Sequence, residues 1–65
     1  MEVKLHKLIE GPVEDPMTGA IEGTYLAEVE GEVTHVTLVH ETMDDCYSMG
    51  MYLNNNIEPL VLRVG

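Results

Sequence analysis

The chain has 65 residues, 12 Asp and Glu against 3 Lys and Arg, a formal charge of −9 and 45% hydrophobic content. That describes one small domain, too aliphatic to be a disordered acidic tail and of the wrong sign to bind nucleic acid or an anionic membrane directly. Between Lys7 and Arg63 lie 55 residues without a Lys or Arg, and they hold 11 of the 12 carboxylates.

Cys46 is alone, so no intrachain disulfide forms, and no apolar run approaches the roughly 18 residues of a membrane span. The chain reads as a soluble cytoplasmic protein. With no Phe, no Trp, three Tyr and five Met, its core must rest on Val, Leu, Ile and adaptable thioethers.

Residues Val3 to Glu10 are β-capable and predict a first strand. From Glu10 to Gly23 the composition shifts to Gly, Pro, Asp and Thr, with Gly11-Pro12 and Asp15-Pro16 as turn-formers, which predicts a long acidic loop. Thr24–Glu30 and Val33–Glu41 flank Gly31 and predict a hairpin. A type II′ turn at Gly31-Glu32 would pair Glu30 with Val33, Val29 with Thr34, Ala27 with Val36 and Tyr25 with Leu38. Period-two alternation then places Tyr25, Ala27, Val29, Val36 and Leu38 on a core face. The opposite face sets Glu28 beside His35 as a cross-strand ion pair and carries the apolar Leu26, Val33 and Val39. A slip putting Val29 opposite Glu32 is expected to mix the two faces.

Two periods compete over Thr42–Asn56. As a helix, Thr42 caps with Asp45 three residues on, and Met43, Cys46, Tyr47, Gly50 and Met51 line one side. As a strand, Tyr47, Met49, Met51 and Leu53 alternate with Ser48, Gly50 and Tyr52, and the poor helix propensities of Gly50, Cys46 and Ser48 favour this reading. Asn54-Asn55-Asn56 turns the chain, and Leu60–Val64 makes a last strand entered through Pro59. The sum is an all-β domain, a five-stranded antiparallel sheet or partly open barrel of SH3-like or OB-like type. The alternative is α+β, a four-stranded antiparallel sheet with one helix at about residues 43–53.

The residues do not compose a catalytic or metal site. His35 and His40 differ in parity, no His-x-His or Cys-x-x-Cys pair occurs, and Asp44-Asp45 lacks the spacing of a calcium loop. Asp44 and Asp45 also oppose a Cys46 thiolate. The chain is therefore expected to be non-enzymatic and free of cofactors and metals.

What remains is charge. An acidic, cofactor-free domain can occupy a Lys/Arg-lined groove by placing carboxylates where phosphates would lie. In size and charge alone the chain resembles phage-encoded DNA mimics and anti-CRISPR proteins, which implies an inhibitor of a basic partner protein. The expected contact residues are Glu14, Asp15 and Glu22 on the loop, Glu28, Glu30 and Glu32 at the hairpin tip, and Asp44 and Asp45. A second reading is a structural or assembly subunit, a homo-oligomer joined through Leu26, Val33, Val39, Met49 and Met51. A third is a small β-domain holding a small molecule or nucleotide in a barrel mouth.

Overall fold

The computed structural model describes residues 1–56 and 58–64. Four strands and one helix follow in the order β1 (Glu2–Glu14), β2 (Ile21–Val29), β3 (Glu32–His40), α1 (Met43–Asn55) and β4 (Leu60–Arg63). The strands form one antiparallel sheet ordered β3-β2-β1-β4, and α1 carries the chain from one edge strand to the other across one face. The fold is the α+β alternative, not the five-stranded all-β domain.

The segment 43–53 was the ambiguous one, and capping decides it. Thr42 is extended (φ −138°, ψ 162°) and its Oγ1 accepts the Asp45 amide at 3.1 Å, satisfying one of the donors that a helix start leaves free. Asp44 and Asp45 sit in the first turn, where negative charge complements the helix dipole. Gly50, a weak helix former, is present for closeness: a Cβ there would lie 2.6 Å from Leu8 Cδ2, so its absence lets α1 settle on β1. The inward stripe is buried Cys46 and Leu53 with half-buried Met49 and Gly50, which leaves Met43, Tyr47 and Met51 exposed on the flank rather than facing the sheet.

The long loop is also shorter than the composition suggests. β1 runs on to Glu14 and β2 begins at Ile21, so only residues 15–20 connect them. Gly11-Pro12 is taken up as an irregularity in β1, one of three register shifts there, and Pro is tolerated because β4 pairs only with Glu2–Leu5 and leaves that stretch of β1 at an edge. The connector is tightly bonded. The Asp15 carboxylate accepts the amides of Met17 at 2.8 Å and Thr18 at 3.4 Å, while the backbone of Asp15 bonds Ala20 and Gly19 at 2.8 Å each.

The hairpin turn is Glu30-Gly31 rather than Gly31-Glu32. Both residues have positive φ, 52° and 84°, the signature of a type I′ turn, whose twist matches that of the strands it joins. Tyr25 therefore meets Val36, Ala27 meets Thr34, Leu26 meets His35, Glu28 meets Val33 and Val29 does meet Glu32. The faces survive this change, contrary to expectation. Each residue's partner moves by two positions, and a shift of two preserves the alternation that a shift of one would invert.

Under the helix the core is Val3, Leu5, Tyr25, Ala27 and Leu53, with Leu8, Val29, Val36, Leu38, Met49, Leu60 and Leu62 packed around it. Among the described residues no element covers the other sheet face. No helix among the described residues is long and apolar enough to cross a membrane.

Candidate functional site

The sheet has two ends that differ in charge. At the proximal end, next to the hairpin turn, Glu2 pairs with Arg63 and Lys4 pairs with Glu28 along the strands. Glu28 also bonds His6, Oε1 to Nε2 at 3.0 Å, with both side chains about one-third exposed. The expected Glu28–His35 pair is replaced by this one, since His35 faces Leu26 and the bulge at His6 swings the imidazole toward Glu28. Lys7 follows, opposite Leu26. All three Lys and Arg residues of the chain lie on this half.

The distal end is where Glu10–Glu14 meets Ile21–Thr24, which meets Thr37–His40, and where α1 begins. It gathers Glu10, Glu14, Asp15, Glu22, Glu41, Asp44 and Asp45 with no Lys or Arg among them. Nine residues of β2 at about 3.3 Å per residue separate the two ends by roughly 26 Å. The contact residues expected from the sequence therefore form two groups. Glu14, Asp15, Glu22, Asp44 and Asp45 belong to the distal end, whereas Glu28, Glu30 and Glu32 belong to the proximal one. Asp15 is already engaged by its own connector; Glu10 joins the distal group through its pairing with Thr24, and Glu41 through its place just after His40 at the end of β3.

The apolar residues divide too. Val33 and Val39, 66% and 68% exposed, stand with half-buried Leu26 on the open sheet face. Met49 packs against the core, and Met51 lies on the outer flank of α1. Met51 and Tyr47 line a shallow groove of about 270 Å³ with Lys7, Leu8, Gly50 and Asn54.

Beneath the distal carboxylates is a polar cluster in which half-buried His40 meets the buried Tyr25 and Cys46. Tyr25 Oη lies 2.6 Å from His40 Nε2 and 3.8 Å from Cys46 Sγ, and both Tyr25 and Cys46 are fully buried. Gly23 makes the room, since a Cβ there would stand 2.8 Å from the Cys46 sulfur and 3.1 Å from the phenol oxygen. The imidazole meets the phenol ring edge-on, at 5.9 Å between centroids. Burial first, then the hydrogen bond and charge interaction with Cys46, push the Tyr25 phenol well above its ordinary value, so it stays neutral. A thiol sealed in this way has no path to a substrate, and the cluster acts as a polar tie between β2, β3 and α1. Among the described residues no three His, Cys, Asp or Glu side chains converge on a metal position.

No protein family, no curated protein and no solved structure matches this chain.

Proposed function

We propose that this chain is a non-enzymatic binding module that sets its distal acidic end on a Lys/Arg-lined surface of a partner protein, of the kind that otherwise holds nucleic-acid phosphates. The observation that carries the reading is the segregation of charge: seven carboxylates crowd one end with no Lys or Arg among them, while all three Lys and Arg lie on the other half beside Glu2, Glu28, Glu30 and Glu32. Self-repulsion of that kind costs stability, and a basic partner relieves it. Glu14, Glu22, Asp44 and Asp45 are the principal contacts, with Glu10 and Glu41 beside them. Docking on such a surface competes with nucleic acid and so inhibits the partner.

The test is capture of partners from an extract of the native host on the immobilised chain, with elution by salt and by double-stranded DNA. Capture should weaken steeply with salt and be displaced by DNA. Combining Glu14→Gln, Glu22→Gln, Asp44→Asn and Asp45→Asn should weaken it at least about tenfold, whereas Glu28→Gln with Glu30→Gln and Glu32→Gln should leave it within a few-fold. Circular dichroism checks that the distal variant keeps its helix. Capture that is insensitive to salt and DNA, or that is lost with the proximal variant instead, sinks the proposal.

A further inference from the structure

β3 is an edge strand without the devices that guard the opposite edge of the sheet. Beyond Leu5 the outer edge of β1 is broken by irregular register, interrupted by Pro12 and lined by Glu10 and Glu14; β4 is four residues long and ends in Arg63. By contrast β3 spans nine residues in unbroken register, and from Val33 to His40 it has no Pro, Gly, Lys, Arg, Asp or Glu. The turn fixes which of its backbone groups are free. In a type I′ turn the Val29 carbonyl accepts from the Glu32 amide, so alternation directs Thr34, Val36 and Leu38 toward β2 and turns the N–H and C=O of Val33, His35, Thr37 and Val39 outward.

We infer that β3 pairs antiparallel with β3 of a second copy of this chain, about a two-fold axis through Val36, joining two sheets edge to edge. Outward residues must meet outward residues, which admits axes at His35, Val36 or Thr37. An axis at Thr37 sets Val33 against Glu41, and one at His35 sets Glu32 against Leu38 and the two imidazoles against each other. With the axis at Val36, Val33 meets Val39, His35 meets Thr37, and Glu32 meets His40. Apolar groups then oppose apolar groups, and no two carboxylates stand opposite one another.

Packing points the same way. α1 lies chiefly on β1 and barely reaches β3, so Val36 and Leu38 are only half-buried although Tyr25 and Ala27 on the neighbouring strand are fully buried. A second β3 supplies their missing neighbours. Two acidic bodies meet along an uncharged strip, and their distal ends point in opposite directions. The guarded far edge stops further addition, so the assembly closes at two. This pairing is independent of the docking of the acidic end.

Sedimentation equilibrium from micromolar to millimolar concentration should show association to twice the chain mass of 7.2 kDa. Thr37→Pro removes an outward amide and the exposed 3.3 Å hydroxyl contact with Thr24 but no ladder bond to β2, and should weaken the dimer at least about tenfold with its circular dichroism unchanged. Should that variant unfold, Val33→Lys with Val39→Lys decides in its place, with the same loss of dimer expected. Val36→Cys should oxidise to a covalent dimer, because the two axis residues face each other directly, and His35→Cys and Thr37→Cys should cross-link far less. A strict monomer at millimolar concentration overturns the inference, as does a folded edge variant that dimerises undiminished. Preferential cross-linking at His35→Cys or Thr37→Cys overturns the register.

Discussion

The two ends of this sheet are both rich in carboxylates and are held together by different means. At the proximal end carboxylates and cations are interleaved: Glu2 is the strand partner of Arg63, and Glu28 is the strand partner of Lys4 while its carboxylate bonds His6. At the distal end the carboxylates have no Lys or Arg among them, and the polar tie lies beneath them, joining half-buried His40 to the buried Tyr25 and Cys46. Cation spacing along the chain is therefore a poor guide to its field. Lys7 and Arg63 stand at the two borders of the cation-free stretch, and antiparallel pairing of β1 with β4 places both on neighbouring strands. One end of the molecule is left bare as a result.

The contrast predicts unequal responses to single changes. The largest should come from the buried tie. Tyr25→Phe deprives the His40 imidazole and the Cys46 thiol of their shared partner and should cost about 1–3 kcal/mol in denaturant unfolding. It should also alter the alkaline limb of stability. The folded phenol keeps its proton beyond its ordinary value of 10.0, while the unfolded phenol loses it there, so the folded state holds the extra proton. That contribution is complete below about pH 10 and lost as pH rises above it, and the Phe variant should not show the loss. An alkaline decline equal in both proteins would separate Tyr25 from it.

A smaller effect of opposite sign belongs to the proximal turn. Glu30 holds φ of 52°, a left-handed backbone that glycine and asparagine adopt at less cost. Glu30→Asn should stabilise the protein by about 0.5–1 kcal/mol, read as a raised denaturation midpoint at unchanged slope. The smallest should be Glu28→Gln. Its partner His6 is on the surface and salt screens the pair, so the change should stay under about 1 kcal/mol. A larger loss would mean that the proximal end depends on its His6–Glu28 bond as the distal end depends on its tie.

How far the chain discloses this arrangement depends on the range of the interaction concerned. The core face of the hairpin was legible, because Tyr25, Ala27, Val29, Val36 and Leu38 follow the alternation that burial imposes. Its register was not, since Glu30-Gly31 and Gly31-Glu32 both offer a glycine, and only the backbone twist selects the first. Over 43–53 the residues Tyr47, Met49, Met51 and Leu53 satisfy a strand period while Cys46, Met49, Gly50 and Leu53 satisfy a helical one; the Thr42 cap and the closeness of Gly50 to Leu8 break the tie. The distal acidic group needed the extension of β1 past Gly11-Pro12, a composition that ordinarily marks a loop. The His6–Glu28 bond arises from a bulge, which leaves no mark in residue spacing.

The shortness of β4 has a consequence for how the molecule comes apart. Four residues hold it, and all of its strand pairing is with the first residues of β1. It is therefore the element expected to fray before the hairpin or the helix does. When it lifts, the other side of β1 from Glu2 to Leu5 becomes a second open edge, backed by the newly uncovered Val3 and Leu5. A molecule with one receptive edge can only pair; a molecule with two can form a chain. On the β3 pairing inferred above, the last strand would limit polymerisation, and its fraying equilibrium would set how often the limit is released.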